Sequence, residues 1–77
     1  MSVATSSELI NVSLNIRRLR ENKGWSVREL AKKLNTSHPT VVRWEQPIPN
    51  ITLDSLENIA DVFGVSIKSL FEEALGL

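Results

Sequence analysis

The sequence has no cysteine and a single histidine, His38. Disulfides are excluded, and so are the usual zinc sites, which need three or four Cys or His ligands. No apolar run approaches the ~20 residues of a membrane span, and the polar N-terminus does not read as a secretion signal, so the expected location is the cytoplasm. Glycine occurs three times, and never as a phosphate-cradling loop. The carboxylates are not clustered, and the one histidine stands beside a proline. An enzyme is therefore not expected, nor a metal or cofactor. Strand-like alternation, internal repeats and low-complexity segments are also missing.

What is present is a chain of 77 residues, enough for one domain, 1–77, with 1–5 expected to be a flexible N-terminal arm. A core of this size gives only roughly 3–5 kcal/mol, so self-association is the expected source of further stability. Net charge is zero, but it is divided unevenly. From Asn11 to Gln46 there are eight cations and three anions, a local +5. From Pro47 to Leu77 there are five acids and only Lys68, a local −4. Ordinary helix-surface charge explains such a split equally well, but a polyanion would be steered to the basic half.

Helical spacing and capping signals predict five helices. Thr5-Ser6-Ser7-Glu8 has the form of a capping box, followed by Leu9, Val12, Ile16 and Leu19 at helical spacing and a stop at Gly24. Ser26-Val27-Arg28-Glu29 is a second capping box, opening a short helix with Leu30, Ala31 and Leu34 inward and an end at Asn35. A third helix runs to about Glu45, since Gln46 precedes Pro47. Two short helices joined by three or four residues make a helix-turn-helix, from Ser26 to Gln46. Thr52 caps a fourth helix with Leu53, Leu56, Ile59, Ala60 and Phe63 inward, closed by Gly64. Ser66 caps a fifth, with Ile67, Leu70, Phe71, Ala74 and Leu75 along one side. The fold class is all-α, a compact five-helix domain.

From Asn11 to about Phe71 the sequence resembles the Cro and phage-repressor (XRE-type) family of helix-turn-helix DNA-binding regulators. The residues that carry the resemblance are Ile16-Arg17-Arg18-Leu19-Arg20, Gly24 through Ala31, Val42-Arg43-Trp44-Glu45, Ser55 through Ala60, and Phe63 through Leu70. The resemblance implies a third helix lying in the major groove of double-stranded DNA, with His38, Pro39, Val42 and Arg43 at the base-contacting positions. It also implies an ion pair between Arg20 and Glu45. Three departures stand out. Val27 occupies a place where the family usually has a phosphate-binding Gln, and Asn35 one where it has Gly. The loop Gln46-Pro47-Ile48-Pro49-Asn50 lacks the usual cations.

Helical geometry selects the same reading face. Val41 and Trp44 fall on one side of the third helix, with Trp25 and Trp44 expected in the core. Pro39, Val42, Arg43 and Gln46 recur on the other side, beside His38. A stripe of proline, valine and histidine suits a groove better than solvent. Arg43 is the strongest candidate for direct readout, because a guanidinium pairs bidentately with guanine O6 and N7; its alternatives are a phosphate or an ion pair. Val42 suits a thymine methyl, and His38 a base edge or a phosphate. Arg28, Ser37, Thr40, Asn50 and Thr52 are the candidate phosphate contacts. Either Ser37 or His38 caps this helix, with Ser37 preferred.

The last helix has more apolar side chains than one side of a small domain can bury, so Ile67, Phe71, Leu75 and Leu77 are the expected homodimer interface. The leading expectation is a sequence-specific transcriptional regulator, most simply a repressor, of bacterial or phage origin and nucleoid-associated when bound. It would act as a homodimer on a pseudo-palindromic operator, with or without a further domain or protein partner. The competing expectation is a protein-interaction module, antitoxin or coactivator-like, that kept the fold with little DNA binding. Val27 and the cation-free loop favour it; Arg43 and the clustered positive charge oppose it.

Overall fold

The computed structural model describes residues 6–47 and 49–73, which form five α-helices: α1 (Ser6–Asn22), α2 (Val27–Lys33), α3 (His38–Trp44), α4 (Leu53–Phe63) and α5 (Ile67–Phe71). Each of the last four begins at a hydroxyl cap. Ser26, Ser37, Thr52 and Ser66 accept from the backbone N–H three residues on, satisfying a donor that the helix itself leaves unpaired. At Ser26 the box is complete: Glu29 N–H donates to its hydroxyl at 3.1 Å, and its own N–H donates to the Glu29 carboxylate at 2.8 Å.

Three helices end on one device. Gly24, Asn35 and Gly64 have φ of 74°, 55° and 69°. The next N–H reaches back to a carbonyl five residues earlier: Trp25 to Arg20 at 3.1 Å, Thr36 to Ala31 at 2.9 Å, and Val65 to Ala60 at 2.9 Å. This left-handed closure favours glycine, which has no Cβ to clash, and tolerates asparagine. Asn35 therefore makes the sharp turn between α2 and α3 that the family usually entrusts to glycine.

The core draws on every helix: Val12 and Ile16, Leu30 and Ala31, Val41 and Trp44, Leu56, Ile59, Ala60 and Phe63, and Leu70, with Leu34 at the end of α2. α1 packs on α5, α2 on α3, and α4 on α5. Trp25 is only half-buried; it stacks on Phe63 at 5.6 Å between ring centroids, with the Lys33 ammonium over the ring at 4.5 Å.

Two expectations are corrected. Leu53 is 62% exposed, because as the first residue of α4 it projects past the end of the core that Leu56 and Ile59 fill. α5 stops at Phe71, with Glu72 already extended at φ −75°, ψ 152°, instead of running on through Leu75. The side-chain amide of Asn15 donates to the carbonyls of Ser69, Leu70 and Glu72 at 3.3, 3.0 and 2.7 Å, and that of Asn11 to Phe71 at 3.3 Å. These amides take carbonyls that a longer helix would bond internally. Ala74, Leu75 and Leu77, the proposed arm 1–5 and Ile48 lie outside the described residues.

Candidate nucleic-acid interface

α3 is capped by Ser37, with His38 first in the helix and Pro39 second. Proline fits there because the N–H it lacks has no helical partner in the first turn. Val41 is fully buried and Trp44 9% exposed. Pro39, Arg43 and Gln46 are exposed and His38 and Val42 half-buried, so one face of α3 anchors in the core and the other faces outward. The Arg43 side chain makes no hydrogen bond or ion pair among the described residues, which leaves its guanidinium available to a ligand.

The inward end of α3 is fixed by Arg20. Its Nε donates to Glu45 Oε2 at 2.6 Å and its Nη2 to Glu45 Oε1 at 3.0 Å. Nη1 donates to the Trp25 carbonyl at 2.9 Å. The two side chains are only 13% and 9% exposed. The hydrogen bond to Glu45 raises the Arg20 pKa further above its usual range, burial opposes it, and the attraction of Glu45 and then Glu21 adds to it. Since a guanidinium is charged throughout the working pH range, the pair acts as a permanent strut. It ties α1 and the turn after it to the C-terminal cap of the outward-facing helix.

The candidate phosphate residues fall into two groups. Arg28 stands in the first turn of α2, exposed Ser37 caps α3 and half-buried Thr40 lies in the first turn of α3. The Ser37 and Thr40 hydroxyls are 2.7 Å apart, so one hydroxyl proton lies between them and the other can point outward. Asn50 and Thr52 precede α4 and are exposed. The Thr52 hydroxyl donates to Ser55 Oγ at 3.0 Å, which makes the half-buried Ser55 the next donor along. Val27 packs against the core, a physical reason for an apolar side chain at that place. Ile67 and Phe71 are half-buried against the core of their own chain; the large hydrophobics most exposed among the described residues are Ile10, Leu14 and Leu53.

Sequence reasoning missed the side-chain amides that fasten helix ends. Besides Asn11 and Asn15, Asn58 on α4 donates to the Leu34 carbonyl at 3.2 Å, closing the end of α2 just before the turn. In sequence each passes for polar surface; the spacing of Asn11 and Asn15, one helical turn apart, was the only available sign. Among the described residues no group of acidic or histidine side chains has metal-site geometry, and no helix is long and apolar enough to cross a membrane.

Two short helices at a tight turn, with the second anchored on one side and open on the other, define a helix-turn-helix DNA-binding domain. The helix-turn-helix profile matches residues 16–70, and the chain belongs to this Cro/C1-type family of DNA-binding transcription regulators. Among solved structures, it is 30% identical to a hypothetical transcription factor, NHTF, from Neisseria, with a TM-score of 0.81 over 95% of this chain and 83% of that one. It is 25% identical to the restriction-modification controller protein C.AhdI from Aeromonas hydrophila, with a TM-score of 0.74 over 82% of this chain and 96% of that one. A point mutant of the controller protein C.Esp1396I is 33% identical, with a TM-score of 0.72 over 83% and 81% of the two chains. No curated protein matches the sequence.

Proposed function

We propose that the protein is a repressor that binds a pseudo-palindromic operator as a homodimer, one α3 entering the major groove at each half-site. The observation that carries this reading is the outward face of α3, where an unpaired Arg43 stands beside Pro39 and Val42 on a helix locked from behind by Arg20 and Glu45. Arg43 has the length and fork geometry to read a guanine, and Val42 and Pro39 offer apolar surface to a thymine methyl. His38, at the start of the stripe, has either a base edge or a phosphate within its chemistry. Arg28, Ser37, Thr40, Asn50 and, through the Ser55 hydroxyl it donates to, Thr52 set register on the backbone. Ile67 and Phe71 keep part of their apolar surface uncovered and are the described part of the dimer face. Similarity to restriction-modification controllers supports a role in regulation.

The test is Arg43→Ala, measured on an operator selected from random duplexes and on its single-base variants. The expected loss is ~1–3 kcal/mol on the best site, with preference relaxed at one base pair per half-site, a G·C. A uniform loss across all variants would make Arg43 a backbone contact. A second reading, an interaction module with little affinity for DNA, is favoured by the inward packing of Val27 and the cation-free loop. It predicts no mobility shift with random duplex at low salt.

A further inference from the structure

Beside the outward face of α3, a shallow concavity opens between α2 and the turn, lined by Arg28, Ala31, Lys32, Asn35, Thr36 and His38. Arg28 and Lys32 stand one helical turn apart on the same side of α2 and are both exposed. Neither has a carboxylate within ion-pair distance among the described residues. The nearest acid in sequence, Glu29, is held by the Ser26 N–H and does not line the concavity. Three other cations of the basic half are committed elsewhere. Arg17 pairs with Glu21 at 3.3 Å, Arg20 with Glu45, and Lys33 lies over Trp25.

We infer that this concavity holds a phosphodiester of the DNA backbone, with Arg28 and Lys32 supplying charge and the His38 imidazole N–H a further donor. This rests on the reading above and deepens it. It moves His38 from the bases to the backbone, and it supplies positive charge where Val27 and the loop after α3 provide none. The chemistry is that of an anion with several acceptor oxygens meeting a cationic fork, a cationic point and a ring N–H donor. His38 is also the first residue of α3, so a phosphate held there would lie at the mouth of the groove that α3 enters. The turn that shapes the concavity depends on the left-handed Asn35 and on the Thr36 N–H bond to Ala31 at 2.9 Å.

The experiment compares Arg28→Gln, Lys32→Gln, the double variant and His38→Ala with the parent, on operator and random duplex across a salt series. Lys68→Gln, an exposed cation on α5, serves as control. Each loss of a cation is expected to make the slope of log K against log salt shallower by about 1 per protomer and to weaken binding roughly tenfold at 0.1 M salt. The loss should be equal on both duplexes, and His38→Ala should weaken both without altering base preference. Variants indistinguishable from Lys68→Gln would overturn the phosphate site while leaving Arg43 and the DNA reading intact. A parent that binds no duplex at any salt would overturn both. Perturbation of the Arg28 and His38 resonances by inorganic phosphate, with duplex binding of the variants unchanged, would assign the concavity to a small free anion and overturn the proposal as well.

Discussion

Arg20 is a single side chain on which the orientation of α3 depends. Removing it leaves the Glu45 carboxylate buried without its partner, at a cost of about 3–5 kcal/mol, comparable with the whole stability expected of so small a core. Arg20→Ala is therefore expected to be largely unfolded at room temperature by circular dichroism. Arg20→Lys, which keeps the charge but loses the two-pronged geometry, should fold with a clearly lowered melting temperature. A parent-like melting temperature in both would mean that the pair is solvated. Asn35 makes an opposite kind of demand, conformational and independent of any partner. Asn35→Ala forces a Cβ-bearing side chain with no local hydrogen bond into the left-handed region and should cost ~1–2 kcal/mol, a fall of roughly 4–15 °C in a domain of this size. Asn35→Gly should be neutral or slightly stabilising by the same measurement.

At the scale of the element, helix ends decide more than helix interiors. α5 is five residues long, too short to persist by itself, and it is held by Leu70 in the core and by the Asn15 amide over its last carbonyls. Asn15→Asp replaces the donor by a carboxylate facing those carbonyls. Amide exchange in Ser69–Phe71 should quicken while α2 and α3 stay protected; unchanged protection would remove the clamp. The capping box of α2 has a pH signature. The Ser26 N–H, and then its hydroxyl, hold the Glu29 carboxyl below its ordinary value of 4.5. A depressed carboxylate contributes stability above its unfolded value and loses it as pH falls through the folded one. Glu29→Gln keeps an acceptor for Ser26 but has no acid titration. The melting-temperature difference between parent and variant should shrink as the pH is lowered from about 6 to 3. A pH-independent difference would show that the charge of Glu29 is irrelevant to the box.

For the whole molecule, neutrality conceals a basic half that contains α2 and α3 and an acidic half that contains α4 and α5. If a dimer neutralises roughly eight phosphates, the salt slope of specific binding should be on the order of −7, and a slope near zero would refute the electrostatic footprint. Dimerisation has its own test. Phe71→Glu and Ile67→Glu should each sediment as folded monomers that bind a full operator poorly and a half-site normally. A parent that sediments as a monomer at tens of micromolar would count against the interface. Because both residues also touch their own core, circular dichroism of each variant must show retained helix before its association is interpreted.

The sequence by itself determined the five helices, their caps, the closing residues Gly24, Asn35 and Gly64, and the division of α3 into a buried and an open face. All of these follow from contacts within a few residues, where hydroxyl caps, left-handed closures and helical periodicity act regardless of the rest of the chain. Tertiary structure decided the remainder. Leu53 matched the apolar period of α4 but lies beyond the end of the core. α5 ended early because amides some 55 residues away in sequence claimed its carbonyls. Val27 turned inward against the core. Arg28, Lys32 and His38 came to line one concavity only once the turn at Asn35 had folded α3 back beside α2. Periodicity records which side of a helix is apolar; it does not record where the core stops or which distant donor meets a helix end, because those are set by how the helices dock.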